Sequence, residues 1–202
     1  NISKKNKNFG SLTSHYWFWK NKLKSYDANQ WIGFNHYRRF WVKDSSTKKI
    51  NLSNLSENIL REVADGENCD VFLPDKITVS GVKLSKVLKK GFRSYLRNPK
   101  ILFSRKKISI KLHFDMFHIY QILDSSSELL SVDDRQDFLT YINTKTEFYP
   151  LQMFISKKII IENLYKKTFD WLFKCEEKFS NLKLEGYGKE RLYDFLAERF
   201  FS

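Results

Sequence analysis

Glycine, proline and cysteine are scarce in this sequence, which has 7 Gly, 3 Pro and 2 Cys among 202 residues. So little glycine and proline argues against a turn-rich all-β fold and favours long helices. Cys69 and Cys175 lie among apolar neighbours without a Cys-x-x-Cys spacing, which indicates buried free thiols in a reducing compartment; a disulfide is the alternative. No apolar run is long enough to span a bilayer, and nothing resembles a signal peptide.

The motifs of several enzyme classes are also missing. The sequence contains no Gly-x-Gly-x-x-Gly, no P-loop and no Gly-x-Ser-x-Gly nucleophile elbow. His113 and His118 are five residues apart, which is off helical register for a shared metal. There is no Asp-x-Asp pair of the kind with which many sugar-nucleotide enzymes hold a divalent metal. We therefore predict no cofactor.

The sequence is strongly basic: it contains 36 Lys and Arg but only 23 Asp and Glu, which gives a formal net charge of +13. This excess predicts an anionic partner. With 42% hydrophobic and 16% aromatic residues, the chain is predicted to form one globular domain over residues 1–202. Segment 83–111 has no acidic residue and interleaves lysine and arginine with apolar side chains. We interpret it as a basic amphipathic insertion that either docks on an anionic membrane surface or packs its apolar side on the body.

The most informative stretch covers residues 31–41. It starts as a short apolar run, which predicts a buried strand, and then presents His36, Tyr37, Arg38 and Arg39 in succession. In open α/β sheets ligands bind beyond the carboxyl ends of strands, and guanidinium groups bind phosphate oxygens bidentately. We therefore predict an anion site at Arg38 and Arg39. Alternation along a strand would send them to opposite faces, so a purely structural role for at least one of them is the alternative.

Apolar spacing predicts the remaining elements of one α/β domain. Helices are predicted over residues 12–23, 52–63, 112–123, 133–142 and 161–179, and from residue 192 to the end of the sequence. Strands are predicted over 69–74 and, after a turn, within 149–155. Ser11 is a plausible N-cap for the first helix, and Asp65-Gly66 would end the second.

Several blocks of the sequence resemble the bacterial capsular polysaccharide synthesis glycosyltransferases, long catalogued only as a domain of unknown function. The blocks are Asn1-Ile2-Ser3, Tyr16-Trp17-x-Trp19-Lys20-Asn21, His36-Tyr37-Arg38-Arg39, Gln152-Met153-Phe154-Ile155 and a closing block from Arg191 to Arg199. They follow the order of the family and extend over nearly the whole chain. Ser11 departs from the family, which often has an acidic residue there, and Gln152 stands where the family often has Asn.

The resemblance implies a GT-A-like α/β nucleotide-sugar fold with a central, mostly parallel sheet flanked by helices. Family members usually carry further residues before the first block, so the resemblance implies that this chain lacks their first strand. It also implies transfer of a sugar from a nucleotide donor, expected to be UDP-linked, to a growing capsule or O-antigen saccharide or a lipid-linked saccharide. The enzyme would then work in the cytoplasm, at the inner face of the membrane.

With no Asp-x-Asp pair, the diphosphate of the donor is expected to bind to side chains without a metal, and these side chains would stabilise the negative charge of the leaving group. The expected diphosphate ligands are His36, Arg38 and Arg39. The residues expected to contact donor or acceptor are Lys20, Tyr37, Gln152 and Arg191.

An inverting transferase also needs a general base that takes the proton of the acceptor hydroxyl. Asp115 is one candidate, because it is the first acid after the basic segment, and Glu198 is another, with Asp194 as a third. Each has a structural alternative: Asp115 could start a helix, and Glu198 could pair with a neighbouring arginine. Retaining chemistry would need no such base.

Two other function classes fit the charge. A nucleic-acid-binding basic domain would use the lysines, arginines and aromatic residues, but no motif of such domains is present. A non-catalytic scaffold would attach to the membrane through 83–111. We prefer the enzyme and expect no nucleic-acid partner.

Overall fold

The computed structural model describes residues 2–44, 50–51, 53–63, 69–79 and 108–202. The basic segment 83–111 lies outside the described residues except for 108–111, so its docking on a membrane stays a prediction. The same holds for Asp65-Gly66 as a helix end. No helix of the described part combines the length and the apolar character needed to cross a bilayer.

The described part of the chain contains nine α-helices, and most of them have an apolar stripe that packs inward. They are α1 Asn6–Phe9, α2 Leu12–Asn21, α3 Leu55–Asn58, α4 Ile110–Phe117, α5 Ile122–Ser127, α6 Val132–Thr144, α7 Lys158–Lys178, α8 Tyr187–Glu190 and α9 Leu192–Phe200. The helices predicted near residues 12, 133, 161 and 192 are confirmed, and the one predicted over 112–123 is two helices, α4 and α5. Serine side chains cap two of these helices at their N-termini. The Ser109 hydroxyl accepts a hydrogen bond from the N–H of Leu112 in α4, and the Ser131 hydroxyl accepts one from the N–H of Asp134 in α6.

Five short strands form two small sheets. They are β1 Trp31–Phe34, β2 Val71–Phe72, β3 Ile77–Thr78, β4 Glu147–Phe148 and β5 Phe154–Lys157. The larger sheet has the order β1-β5-β2, and Gly33 of β1 lies opposite Ile155 of β5. The smaller sheet pairs β3 with β4. The predicted strands near residues 31, 69 and 154 are therefore confirmed.

The expected mostly parallel sheet is not what the described residues form, since every described strand pair is antiparallel. The central strand β5 runs against both of its neighbours. The two outer strands, β1 and β2, therefore point in the same direction but are separated by β5 and share no hydrogen bonds.

The helix predicted over 52–63 is wrong for most of its length. Only Leu55–Asn58 is helical, and the chain then becomes extended. Val42 bridges Ile59 in antiparallel fashion, and the N–H of Leu60 donates to the carbonyl of Trp41 at 2.9 Å. Pairing with a distant segment therefore prevailed over the local helical spacing of apolar residues.

The core surrounds the long helix α7. Trp171 is 2% exposed, and its Nε1 donates to the carbonyl of Ser126 at 2.7 Å, so this large ring is buried without an unpaired donor. Cys175, also on α7, is a buried free thiol, as predicted. Cys69 is also a free thiol, but it is at intermediate exposure, so the prediction of burial is wrong for this residue.

Helices α1 and α9 pack against each other although they are far apart in the sequence. The rings of Phe9 and Tyr193 lie 4.7 Å apart. Helix α1 also contacts the end of α8, where Asn8 Nδ2 donates to the carbonyl of Glu190 at 2.7 Å and Lys7 pairs with the Glu190 carboxylate at 3.3 Å. The start of α2 therefore lies beside α9.

Candidate functional site

A cleft of about 540 Å³ opens along β1, and this volume lies in the range of about 300–1,000 Å³ that is typical of small-molecule sites. We call it the β1 cleft. Its lining residues are Gln30, Trp31, Gly33, Asn35, Trp41, Leu60, Arg61, Glu62, Val63 and Ile155. The lining combines two indoles, two amides and one charge of each sign.

Local structure explains why these residues meet. Trp31, Gly33 and Asn35 alternate along β1 and its extension, so they share one face. A Cβ atom at Gly33 would approach Ile155 Cγ1 to 3.1 Å, so glycine keeps this part of the face open. The opposite wall is the extended segment after α3. Trp41 is fixed beside β1, because its Nε1 donates to the carbonyl of Phe34 at 3.0 Å.

The predicted anion-site residues form a tight turn directly after β1. The N–H of Arg39 donates to the carbonyl of His36 at 2.9 Å, and the two residues form an isolated β-bridge. Arg38 and Arg39 are exposed, and Tyr37 is 72% exposed with the Arg38 guanidinium 4.6 Å from its ring centroid. Neither arginine forms an ion pair with a carboxylate of the described residues.

The turn is attached to the β1 cleft at both ends. Asn35 precedes it and Trp41 follows it by two residues, and both line the cleft. Desolvation, together with the charges of Arg38 and Arg39, lowers the pKa of His36, so its imidazole is neutral at pH 7. Its buried Nδ1 has no hydrogen-bond partner among the described residues. The turn thus presents two free cations and one neutral imidazole beside the cleft.

A second polar cluster contains Gln152 but lies away from the lining of the β1 cleft. Ser11 Oγ is 3.0 Å from both Gln152 Oε1 and Asp194 Oδ1, and Gln152 Nε2 donates to the carbonyl of Asp194 at 2.8 Å. Burial raises the pKa of Asp194 to about 6. The Ser11 hydroxyl has one proton and can donate it to only one of these two oxygens. When Asp194 is protonated, its carboxyl group can donate to Ser11 Oγ while the Ser11 hydroxyl donates to Gln152 Oε1, so that both contacts are hydrogen bonds.

Gln152 enters this cluster through an unusual backbone. Leu151 and Gln152 both have positive φ angles, of 71° and 50°, which few residues other than glycine adopt. The N–H of Leu151 donates to Glu198 Oε1 at 2.7 Å, so α9 holds the bend in place. The two departures from the family pattern, Ser11 and Gln152, thus contact each other.

Gly10→Ala should destabilise the protein more than Gly186→Ala. Both glycines have positive φ angles, of 50° and 84°, so each alanine is expected to cost about 1–3 kcal/mol in backbone strain. Only at Gly10 does the new Cβ also collide, since it would lie 2.7 Å from Asp194 Oδ2, whereas nothing lies within 4 Å at Gly186. Urea unfolding measures both losses. Equal losses would contradict the close approach of Gly10 to Asp194.

The two predicted catalytic acids have internal partners. Asp115 Oδ2 pairs with Lys111 at 2.9 Å, and its Oδ1 accepts the N–H of Gln121 at 2.8 Å. Glu198 accepts the N–H of Leu151 and pairs with the Arg199 guanidinium. Asp115 lies in the second half of α4, not at its start. Neither acid is among the residues that line the β1 cleft.

Arg199 is itself 3% exposed. Its guanidinium lies 4.0 Å from the ring centroid of Phe148 and 5.3 Å from that of Phe114. Its Nε has no hydrogen-bond partner among the described residues. The pair of Glu198 and Arg199 is therefore a largely buried ion pair beside the positive-φ bend.

The remaining predicted contact residues lie elsewhere on the surface. Lys20 is exposed, and its ammonium lies 3.3 Å from the ring centroid of Trp19. Arg191 is exposed at the start of α9 and lowers the pKa of Asp194, against the dominant effect of burial. The β1 cleft does not bring these two residues together with the turn.

Three histidines are neutral at pH 7: His15 is buried, and His113 and His118 are partly buried. His15 Nδ1 is 2.7 Å from the Tyr165 hydroxyl, and burial lowers the pKa of His15 to about 4. Burial and the Arg199 charge lower the pKa of His113 to about 4 and that of His118 to about 3. His118 Nδ1 is 2.7 Å from the Gly188 carbonyl, to which it donates. These side chains belong to the core.

Sequence reasoning gave no binding role to any of the six polar or aromatic residues of the β1 cleft, which are Gln30, Trp31, Asn35, Trp41, Arg61 and Glu62. Arg61 and Glu62 lie where a helix was expected. No local pattern marks these residues, because only the pairing of Val42 with Ile59 places them along β1. Within the described ranges, no group of three or more His, Cys, Asp or Glu side chains is placed to hold a metal ion.

Comparisons with known proteins give one family and one structure. A family model described as "Domain of unknown function (DUF4422)" matches residues 1–202. A search of curated proteins finds no match. The apo structure of WbbM, a bifunctional glycosyltransferase, is similar with a TM-score of 0.67 and 22% sequence identity, over 100% of this chain and 34% of that chain. The chain therefore shares its fold with a segment of that protein and spans about a third of its length.

Proposed function

This chain belongs to the family described as "Domain of unknown function (DUF4422)", and from this membership and the geometry of the β1 cleft we propose that it is a glycosyltransferase that uses a nucleoside-diphosphate sugar. Arg38 and Arg39 bind the diphosphate of the donor, His36 and Tyr37 complete that site, and the β1 cleft lies beside it. The fold shared with the glycosyltransferase WbbM supports the proposal. The observation that carries it is the turn whose two arginines form no ion pair with the described residues, joined at both ends to the cleft.

The chemistry explains why arginines suit this position. When the bond between the sugar C1 and the diphosphate oxygen breaks, the electron pair stays on the diphosphate and its negative charge grows. Guanidinium groups fixed next to that oxygen stabilise the transition state more than the ground state. The neutral imidazole of His36 can donate one hydrogen bond to the same group without adding a third charge. In this proposal the side chains do this work without a metal ion.

The proposal extends to the setting of the reaction. The donor is UDP-linked, and the acceptor is a capsule or O-antigen saccharide or its lipid-linked precursor. The fold is of the GT-A type. The basic segment 83–111 would hold the cytoplasmic enzyme on an anionic membrane surface.

The general base stays a proposal between Asp115 and Glu198. A base must take the proton of the acceptor hydroxyl while that oxygen attacks C1. Each of these carboxylates accepts a backbone N–H and pairs with a cation. To act as the base, either carboxylate would have to give up one of these internal contacts and bind the acceptor hydroxyl instead. Gln152, Lys20 and Arg191 are proposed as further sugar contacts.

A thermal-shift screen of UDP-, GDP-, CDP- and dTDP-sugars in excess chelator tests the proposal. A donor that binds only the folded protein raises Tm, by mass action. We expect at least one donor to do so, and Arg38→Ala or Arg39→Ala to weaken its binding about tenfold or more, since a charge-assisted contact is worth about 1.5–3 kcal/mol. Arg135→Ala, an exposed arginine on α6, is the matched control and should leave binding unchanged.

Three outcomes would contradict the proposal in different ways. Stabilisation that disappears in chelator and returns with manganese would overturn the metal-free version. Equal donor binding in all three arginine variants would show that Arg38 and Arg39 do not bind the diphosphate. Single-stranded RNA that displaces every donor, with steep salt dependence, would support a nucleic-acid-binding domain instead.

A further inference from the structure

The lining of the β1 cleft differs from that of a phosphate site. Its charged lining residues are Arg61 and Glu62, of opposite sign, so their charges cancel. The turn beside it carries two cations that have no carboxylate partner in the part of the chain that the structure describes. The anionic and the neutral parts of a substrate therefore have separate places on this surface, and the β1 cleft suits the neutral part.

The aromatic residues of the cleft are held in place from outside. Trp31 has the Lys157 ammonium 5.6 Å from its ring centroid and the Phe72 ring at 5.5 Å. The indole of Trp41 is fixed by its hydrogen bond to the carbonyl of Phe34. Both are half-buried, so part of each ring remains available to a ligand. A ligand that packs on them pays little side-chain entropy, because neither ring has to be ordered on binding.

The polar residues of the cleft match hydroxyl groups. A hydroxyl both donates and accepts, as do the amides of Gln30 and Asn35, while Glu62 accepts and Arg61 donates. A sugar ring has an apolar C–H face and a rim of hydroxyls. It can therefore pack its face on an indole and direct its rim to these side chains.

We propose that the β1 cleft is a carbohydrate subsite, which holds one neutral hexopyranose ring of the acceptor saccharide against Trp31 and Trp41, with Arg61, Glu62 and Asn35 bonded to its hydroxyls. This inference rests on the proposed function, because the donor turn lies next to the cleft. It assigns the recognition of the acceptor to the extended segment 59–63. The volume of about 540 Å³ leaves space beyond one ring for the next sugar of the chain.

The test is ligand-observed saturation-transfer NMR with methyl glycosides of glucose, galactose, mannose and rhamnose, in the absence of any donor. We expect at least one glycoside to bind with a Kd in the range of about 1–10 mM. Glu62→Ala, Arg61→Ala and Asn35→Ala should each raise that Kd about tenfold, which corresponds to one lost hydrogen bond. All three side chains are exposed, so these variants should fold.

Matched controls are available in the same regions. Glu57→Ala replaces an exposed acid on α3 that does not line the cleft, and Trp17→Ala replaces a tryptophan that is 51% exposed on α2. Both should bind the glycoside as the unaltered protein does. Trp41→Phe keeps an aromatic ring but loses the bond to Phe34, and it should weaken binding without unfolding the chain.

The results separate this inference from the proposed function. Glycoside binding that is equal in the cleft variants, or no glycoside binding at all, overturns the subsite even where donors bind at Arg38. If the cleft variants bind uridine more weakly but bind glycosides as the unaltered protein does, the carbohydrate subsite is also overturned. The cleft is then assigned to the nucleobase of the donor. Glycoside binding that depends on the cleft, without any donor binding, upholds the subsite and rejects the transferase.

Discussion

Lowering the pH from 7 to 5 should reduce the free energy of unfolding by a net of roughly 4–5 kcal/mol, mainly because three histidines, one buried and two partly buried, stay neutral in the folded chain. The pKa values of His15 and His113 are about 4, and that of His118 is about 3. In the unfolded chain each imidazole binds a proton near pH 6.5. The unfolded state therefore takes up more protons over this range, and each histidine costs about 2 kcal/mol of stability.

One carboxyl group works in the opposite direction. Burial raises the pKa of Asp194 to about 6, above its value of 3.8 in an unfolded chain, so the folded state takes up this proton first as the pH falls. The gain between pH 7 and pH 5 is about 1 kcal/mol. It is smaller than the combined loss from the histidines, so acid destabilises the protein.

Urea unfolding at pH 7 and pH 5 measures the effect and its two signs. His118→Asn keeps an N–H for the Gly188 carbonyl but does not titrate, so it should reduce the loss by about 2 kcal/mol. Asp194→Asn removes the opposing contribution and should enlarge the loss by about 1 kcal/mol. A His118→Asn protein with unchanged pH dependence would contradict the assignment.

Replacing Arg199 with alanine should lower the free energy of unfolding by about 3–5 kcal/mol, because it leaves the carboxylate of Glu198 without its partner charge. The side chain of Glu198 is 13% exposed and that of Arg199 is 3% exposed, so water replaces the lost interaction poorly. The packing of the guanidinium on Phe148 is lost as well. The measurement is urea unfolding at pH 7.

The double variant Glu198→Gln/Arg199→Met separates charge from shape. Glutamine can still accept the N–H of Leu151, and methionine fills the space beside the aromatic rings, so most of the stability should return. A double variant as unstable as Arg199→Ala would contradict the explanation by unpaired charge. The same protein tests Glu198 as the base. If Glu198 is the base, the double variant should transfer sugar about 10²–10⁴-fold more slowly than the unaltered protein, with the same affinity for the donor.

The sequence predicted most elements whose signal is local. Apolar residues spaced at three and four positions located α2, α7 and α9, and the short apolar run at Trp31 located β1. The direction of strands has no local signal. It depends on the insertion of β5 between β1 and β2. The paired residues Gly33 of β1 and Ile155 of β5 are 122 positions apart in the sequence. The expectation of a mostly parallel sheet failed in the described residues for this reason.

The candidate site divides in the same way. The cations of the turn were found because Arg38 and Arg39 are adjacent in the sequence. Arg61 and Glu62 were not found, because their segment has apolar residues at helical spacing and becomes extended only by pairing with Trp41. Ser11, Gln152 and Asp194 were each singled out for separate reasons, and only the packing of α9 beside α2 makes them one hydrogen-bonded cluster.

The contact between α1 and α9 also decides when the core can close during synthesis. Phe9 and Tyr193 are 184 positions apart, so at about 5–20 residues per second the ribosome needs on the order of 10–40 s between the synthesis of these two residues. The side of the Phe9 ring that packs on Tyr193 in the folded protein, where Phe9 is 0% exposed, has no partner during that interval. A nascent chain of this kind gains from a chaperone that shields the aromatic side chain of α1 until translation has passed Tyr193.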